Sequence, residues 1–366
     1  MLAAPPERLR ADLVALAHRD HDVHGFSLGA ARILRRAVPF DGVCVLTLDP
    51  ATLLPTGEVV ENGLPPAATA RMTEIEISEE DFNKFPALAR APRHAAGLSE
   101  ATEGDLDRSL RHRELRRPNG FGDELRAALV SDSATWGGIT LLREAGRADF
   151  TPADSRVVAA LSHQIAEGLR RAIVRGALSA VDPVQPESAG VVVLEADNSI
   201  AQANPAAEAW LAELRDDATR GERLPDVVTA VASRARSAAA GGAVMDARAR
   251  VRTPSGLWLL VRGSTLGGGP EARSVVILEP ARTPELAPLI ADAYGLTERE
   301  RVVTQLVAHG LGTSAIAARL HLSPWTVQDH LKAIFEKTGT GTRGELVARL
   351  FFEHYAPRLT GAASPP

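Results

Sequence analysis

A short stretch near the C-terminus carries side chains whose types and spacing suit the reading of nucleic acid. Trp325, Gln328, Asp329, Lys332 and Glu336 follow one another at i, i+3, i+4, i+7 and i+11, which is a single face of a helix. In a major groove a glutamine amide matches adenine, and a lysine ammonium matches guanine. Thr326 stands at the start of the same helix. Trp325, Thr326, Gln328, Asp329 and Lys332 are therefore the candidates for contact with bases. Arg301, Thr313, Ser314, Arg319, Ser323, Lys337 and Arg343 surround them as candidates for contact with phosphate, as cations or as donors near helix starts.

The flanking sequence supplies the elements that must hold this face. Ser323 is an N-cap and Pro324 suits the first helical position. Leu322 can staple to Val327, and Val327, Leu331 and Ile334 form the buried stripe opposite the polar one. A shorter helix, Ser314 to about Leu320, precedes it and buries Ile316, Ala317 and Leu320. Before that, Thr297-Glu298-Arg299-Glu300 reads as a capping box opening a helix that buries Val303, Leu306 and Val307 and ends near Gly310. Two short helices joined by a tight turn, the second with a polar face, have helix-turn-helix geometry.

The run from Leu296 to Leu350, LTERERVVTQLVAHGLGTSAIAARLHLSPWTVQDHLKAIFEKTGTGTRGELVARL, resembles the LuxR/NarL-type DNA-binding domain over all four of its helices. The resemblance implies that the helix from Pro324 is the recognition helix, with Gln328, Asp329 and Lys332 facing the bases. It implies that the last helix, Arg343 to Tyr355, packs on the bundle and serves dimerisation. The chain departs from the family pattern in three places. Gly312 stands at an N-cap usually held by Ser, and Ser314-Ala315 replace a Lys-Glu pair, which weakens that helix start by up to about 1 kcal/mol. Gln328 replaces a usual Lys or Arg. Residues 285–355 hold seven Lys/Arg and eight Asp/Glu, a net of −1, little cation for a surface that meets phosphate.

The whole chain of 366 residues is long enough for further domains, and its net charge of −5 gives no global pull toward nucleic acid or anionic lipid. Residues 1–180 open with helical spacing and contain a strand at Gly42–Leu48. A hairpin follows over Ala127–Leu142, and a helix capped by Thr151-Pro152 carries Val158, Leu161, Ile165 and Leu169 as a stripe that packs on its own sheet. With FGDELRAAL, TWGGITLLREAG and FTPAD, this segment resembles a GAF-like α/β sensor. After a Pro-containing linker at Pro183–Ser188, residues 186–282 order as two strands, helical material and three strands. This predicts an antiparallel sheet with helices on one side, and VVVLEADNSIAQANPAAEAWL resembles a PAS-like domain. The fold class expected is multidomain α+β: a GAF-like sensor at 1–180, a PAS-like antiparallel-sheet domain at 186–282 and an all-α helix-turn-helix domain at 285–356. The tail from Pro357 is expected to be disordered.

Several chemistries are excluded or disfavoured. Pro186–Arg282 holds neither His nor Cys, so a His- or Cys-ligated haem and a flavin–cysteine adduct are excluded there. The single Cys44 lies mid-strand and reads as a small buried hydrophobe rather than a redox group. Trp136 reads as core. Gly25-Phe26-Ser27-Leu28-Gly29 matches a nucleophile-elbow pattern but lacks the preceding strand. His18, His21 and His24 read as a helix end and loop rather than a metal site. Asn83-Lys84 and Phe121-Gly122-Asp123-Glu124 echo a cyclic-nucleotide signature with the wrong spacing. The charged stretch Arg108–Arg117 is expected to be a solvated helical face. No cofactor, no metal site, no catalytic group, no signal peptide and no membrane span is expected. The chain reads as a cytoplasmic, homodimeric regulator that binds double-stranded DNA and answers to a small-molecule or protein effector. The alternative is a protein-interaction module with a degenerate helix-turn-helix.

Overall fold

The computed structural model describes residues 6–132, 134–175, 188–215, 223–241, 246–267 and 272–352. Residues 183–187 of the expected linker at Pro183–Ser188, and the tail from residue 357, lie outside these residues. The chain divides into two units. The first carries both sheets, and the second carries the helices from residue 281 onward.

The first unit begins with helices α1 (Pro6–Ala17) and α2 (Val23–Arg35). Strands β1 (Gly42–Leu48) and β2 (Pro55–Glu61), helices α3 (Thr69–Ser78) and α4 (Phe85–Arg90), strand β3 (Ala95–Gly97) and the single turn α5 (Leu98–Ala101) follow. Strands β4 (Phe121–Ser131) and β5 (Ala134–Glu144) form the expected hairpin, and α6 (Pro152–Arg175) follows it. The sheet is antiparallel in the order β2-β1-β5-β4-β3. Strand alternation gives it two unlike faces. Leu125, Ala127 and Leu129 of β4 join Val43 and Val45 of β1 in a core closed by α1, α2 and α6. Val158, Leu161, Ile165 and Leu169 of α6 all lie in that core, so the helix packs on its own sheet. Gly168 admits the Phe26 ring, because a β-carbon there would meet it at 2.1 Å. Thr151 and Asp154 cap α6 reciprocally, at 3.2 and 2.9 Å.

The opposite face of β4 turns Glu124 and Arg126 into a buried charged cluster. Arg111 Nε donates to Glu124 Oε1 at 2.6 Å, and Arg116 Nε donates to Glu124 Oε2 at 3.0 Å. Arg111 also pairs with Asp81 at 3.1 Å, and Arg126 donates to Glu76 at 2.9 Å while its guanidinium covers the Phe85 ring at 3.9 Å. This corrects the expectation for Arg108–Arg117. Arg108, Arg113 and Arg117 are exposed, but Arg111, His112 and Arg116 are buried. The cause is a π-helical turn at His112–Arg116. Its i→i+5 spacing brings Arg111 and Arg116 to the same side, where α-helical spacing would separate them. Burial opposes the charge of Glu124, but Arg111, Arg116 and Arg126 more than offset it and hold the carboxyl at about 2.

The second sheet comprises β6 (Gly190–Leu194), β7 (Ile200–Ala203), β8 (Arg248–Arg252), β9 (Trp258–Leu266) and β10 (Arg273–Pro280), with α7 (Pro205–Leu214) and α8 (Asp226–Ala239) between the second and third strands. It too is antiparallel, in the order β7-β6-β10-β9-β8. Counted within each sheet, both orders are 2-1-5-4-3. Asn204 caps α7 by accepting from the Ala207 amide at 2.9 Å, ahead of Pro205.

Helix α8 is buried continuously from Val227 to Ala235. A helix buried all round must be covered on more than one side. It packs on β9 and β10 of its own sheet and on α3 and β2 of the first. Asp49, just after β1, accepts from Arg250 of β8 through three bonds of 2.7 to 2.9 Å, with both side chains buried. Arg223 reaches Glu58 at 3.0 Å and also pairs with Asp226. Burial, and then the neighbouring Glu58 charge, raise the Asp226 carboxyl to about 6, against the pull of Arg223.

The second unit contains α9 (Thr283–Ala293), α10 (Glu298–Ala308), α11 (Thr313–Leu320), α12 (Pro324–Thr338) and α13 (Arg343–Phe352). Residues beyond Phe352, including the expected helix end at Tyr355, lie outside the described residues. The core joins Leu296, Val303, Val307, Ile316, Ala317, Val327, Leu331, Ile334 and Leu346. No helix among the described residues is long and apolar enough to cross a membrane.

Two outcomes follow for unfolding in urea, read by tryptophan fluorescence. Glu124→Ala leaves Arg111 and Arg116 buried without their shared acceptor and costs about 3–5 kcal/mol. The Glu124 contribution is present above about pH 4.5 and fades as pH falls toward 2. Asp226 has the opposite sign. Its folded value lies above the ordinary 3.8, so its contribution is present at low pH and lost as pH rises through about 6. Asp226→Asn therefore unfolds at a higher urea concentration than the parent at pH 8 and at the same concentration at pH 4.

Candidate nucleic-acid interface

The polar face of α12 depends on how the helix starts. Ser323 Oγ accepts from the Thr326 amide at 3.0 Å, and Pro324 occupies the first turn without wasting an amide. Val327, Leu331 and Ile334 then fall on the buried side. Trp325, Gln328, Asp329, Lys332 and Glu336 fall on the exposed side, and the Trp325 side chain is 71% exposed. Thr326 is half-buried, with its hydroxyl 2.9 Å from that of Ser323. The turn before α12 is closed by His321, which adopts the left-handed conformation at φ 54°.

The phosphate candidates separate into two groups. Ser314 and Arg319 are exposed on α11. The others are engaged within the unit. Arg301 donates from Nε to the Leu296 carbonyl at 2.9 Å and pairs with Asp292 at 2.5 Å. Arg343 donates to the Leu311 carbonyl and to the Thr313 hydroxyl, both at 2.8 Å. Lys337 donates to the Gly295 carbonyl at 2.9 Å and to Glu300 at 2.8 Å. Glu300 in turn accepts from the Thr297 amide at 2.7 Å and completes the capping box of α10. Burial resists charge on Glu300, and the bonds from Lys337 and Thr297 outweigh it, so the carboxyl titrates below its ordinary range.

The N-terminus of α11 shows the departure expected from the sequence. Gly312 is its N-cap and offers no side-chain bond. Of the other sequence candidates, Gly25–Gly29 lie inside α2, with Ser27 buried. Cys44 is partly buried, and burial followed by the Glu58 charge pushes its thiol up, away from a reactive thiolate. Asp123 is a structural acceptor for Ser99 and the Phe150 amide, each at 2.8 Å. Trp136 is buried. His18, His21 and His24 lie at the α1–α2 junction. The buried cluster around Glu124 was not anticipated. Its only sequence sign is the arginine-rich stretch itself.

The pair α11 and α12, joined by the tight turn at His321 and packed on α10, with an exposed polar face on α12, defines residues 298–338 as a helix-turn-helix. Residues 295–350 match the family model described as bacterial regulatory proteins, luxR family. The chain is 41% identical over 71 residues to the Escherichia coli transcriptional regulatory protein UhpA, which is 19% of this chain and 36% of that protein. It is equally similar, with the same coverage, to a putative helix-turn-helix transcriptional regulator of Aeromonas salmonicida. The chain thus spans about a third of the length of these relatives. Among solved structures, Escherichia coli SdiA is 12% identical, covering 93% of this chain and 95% of that one, with a TM-score of 0.32.

Gly312→Ser restores a capping hydroxyl at a position with open space for it. It should stabilise the C-terminal unit by a few tenths of a kcal/mol, up to about 1. Differential scanning calorimetry of the full chain checks this as a raised midpoint for that unit's transition.

Proposed function

We propose that the chain is a sequence-specific, DNA-binding transcriptional regulator of the LuxR type. It acts in the cytoplasm as a homodimer, with Trp325, Thr326, Gln328, Asp329 and Lys332 toward the bases. The observation that carries this reading is the capped α12, which exposes Trp325, Gln328, Asp329 and Lys332 on one face while its other face is used in the core. Paired recognition helices would engage half-sites about one turn apart. Residues 1–180 and 186–282 are read as GAF-like and PAS-like sensor modules. Their shared strand order, with helices inserted after the second strand in each, supports reading them as one kind of module. An effector at these modules sets the output, and the helices 151–175 and 283–293 transmit it.

One observation favours a second reading. Arg301, Lys337 and Arg343 are engaged internally, and residues 285–355 carry a net of −1, so few cations remain for phosphate. A protein-interaction module with a degenerate helix-turn-helix would show this feature.

Selection of genomic fragments with the purified chain separates the two. The regulator reading expects enriched fragments sharing a two-fold motif. It expects enrichment to fall at least tenfold for Lys332→Ala and base preference to relax for Gln328→Ala, which corresponds to about 1–3 kcal/mol per lost base contact. Absence of enrichment at low salt, for both the full chain and residues 281–366, would leave the interaction module.

A further inference from the structure

The buried arginines of the charged cluster are matched to carboxylates, whereas Arg234 is not. It lies in the fully buried run of α8 and is 7% exposed. Its Nη1 is enclosed and makes no hydrogen bond. Burial alone lowers the guanidinium, with no acid to raise it. Lys84 feels the charges of both Arg126 and Arg234. Lys84, immediately before α4, is lowered first by burial and then by repulsion from Arg126 and Arg234, against the pull of Glu76 and Asp81.

The nearby acids are already occupied. Glu76 accepts from the Phe85 amide at 2.8 Å and from Arg126 Nη1 at 2.9 Å. Asp81 accepts from the Phe82 amide at 2.8 Å, from the Arg111 amide at 3.0 Å and from Ser109 at 3.2 Å. The Lys84 ammonium has one acceptor, the Glu79 carbonyl at 2.6 Å, which leaves two protons unspent. Arg126 Nε is buried and also without an acceptor. Donors on β4 and α8 are thus withdrawn from water with too few acceptors, and the half-buried Lys84 ammonium adds a third cation. Gathering like charges in this way is costly unless a counter-charge joins them.

We propose that Lys84, Arg126 and Arg234 bind a compact oxyanion, the carboxylate or phosphate group of a small effector, where α8 meets the corner between α3 and α4. Guanidinium forks and an ammonium match such a group, which has several acceptors close together. The donors come from both sheet-bearing segments, since α8 packs directly on α3. Occupancy therefore ties the second sheet's helix to the first sheet's face.

The test is thermal unfolding of the full chain with inorganic phosphate or acetate against chloride at matched ionic strength. One of the two anions should raise the melting temperature saturably, by several degrees at about a hundredfold excess over its dissociation constant. Which of the two acts identifies the group. Arg234→Leu should melt no lower than the parent without anion, because it removes an unpaired buried charge, and it should lose the anion response. Should that variant not fold, Lys84→Met replaces it, with at least tenfold weaker apparent affinity expected. Phosphate stabilises many proteins slightly by exclusion, so the difference between parent and variant is the signal. An equal response in parent and variant, or none to either anion, overturns the proposal. Because no DNA is involved, the result is independent of the regulator reading.

Discussion

Helix α8 is the element on which the first unit depends. Its sequence, DVVTAVASRARSAA, offers apolar or small side chains on every side, so no single sheet can bury it. Two sheets do. Once both faces are used, the polar groups carried inward need partners, and the bidentate pair between Asp49 and Arg250 provides one of them. These residues stand 201 positions apart, yet their opposite charges meet out of water, where removal of either one is costly. Arg223, Glu58 and Asp226 repeat the logic less completely, with two acids sharing one guanidinium.

The C-terminal unit follows a different economy, in which local rules suffice. Thr297 and Glu300 start α10, Ser323 and Pro324 start α12, and a small shared core does the rest. Lys337 shows the tension in the design. By neutralising Glu300 it secures the capping box, and the same bond engages a cation that phosphate would otherwise meet free. Stability of the bundle and attraction for phosphate draw on the same few basic residues.

That contrast explains what could be read from the sequence. Caps, the strand Gly42–Leu48, the 127–142 hairpin and the two faces of α12 were legible because each is written within a few residues. The π turn at His112–Arg116 was not, since the spacing of its arginines looks amphipathic until the turn widens. Nor could Arg234 be singled out among 41 Lys and Arg, because only the second sheet packed on α3 removes it from water. For the same reason, α8 registered merely as helical material: what buries it lies far away in the chain.

The shared burial of α8 also bears on how such a chain can change over generations. Sequence alone suggests a seam near residue 183, where modules could be exchanged as beads on a string. A replacement for either module would have to present a matching surface to α8 and a partner for Asp49 or Arg250. The pair is thus bound to be inherited together, with its two surfaces drifting in step.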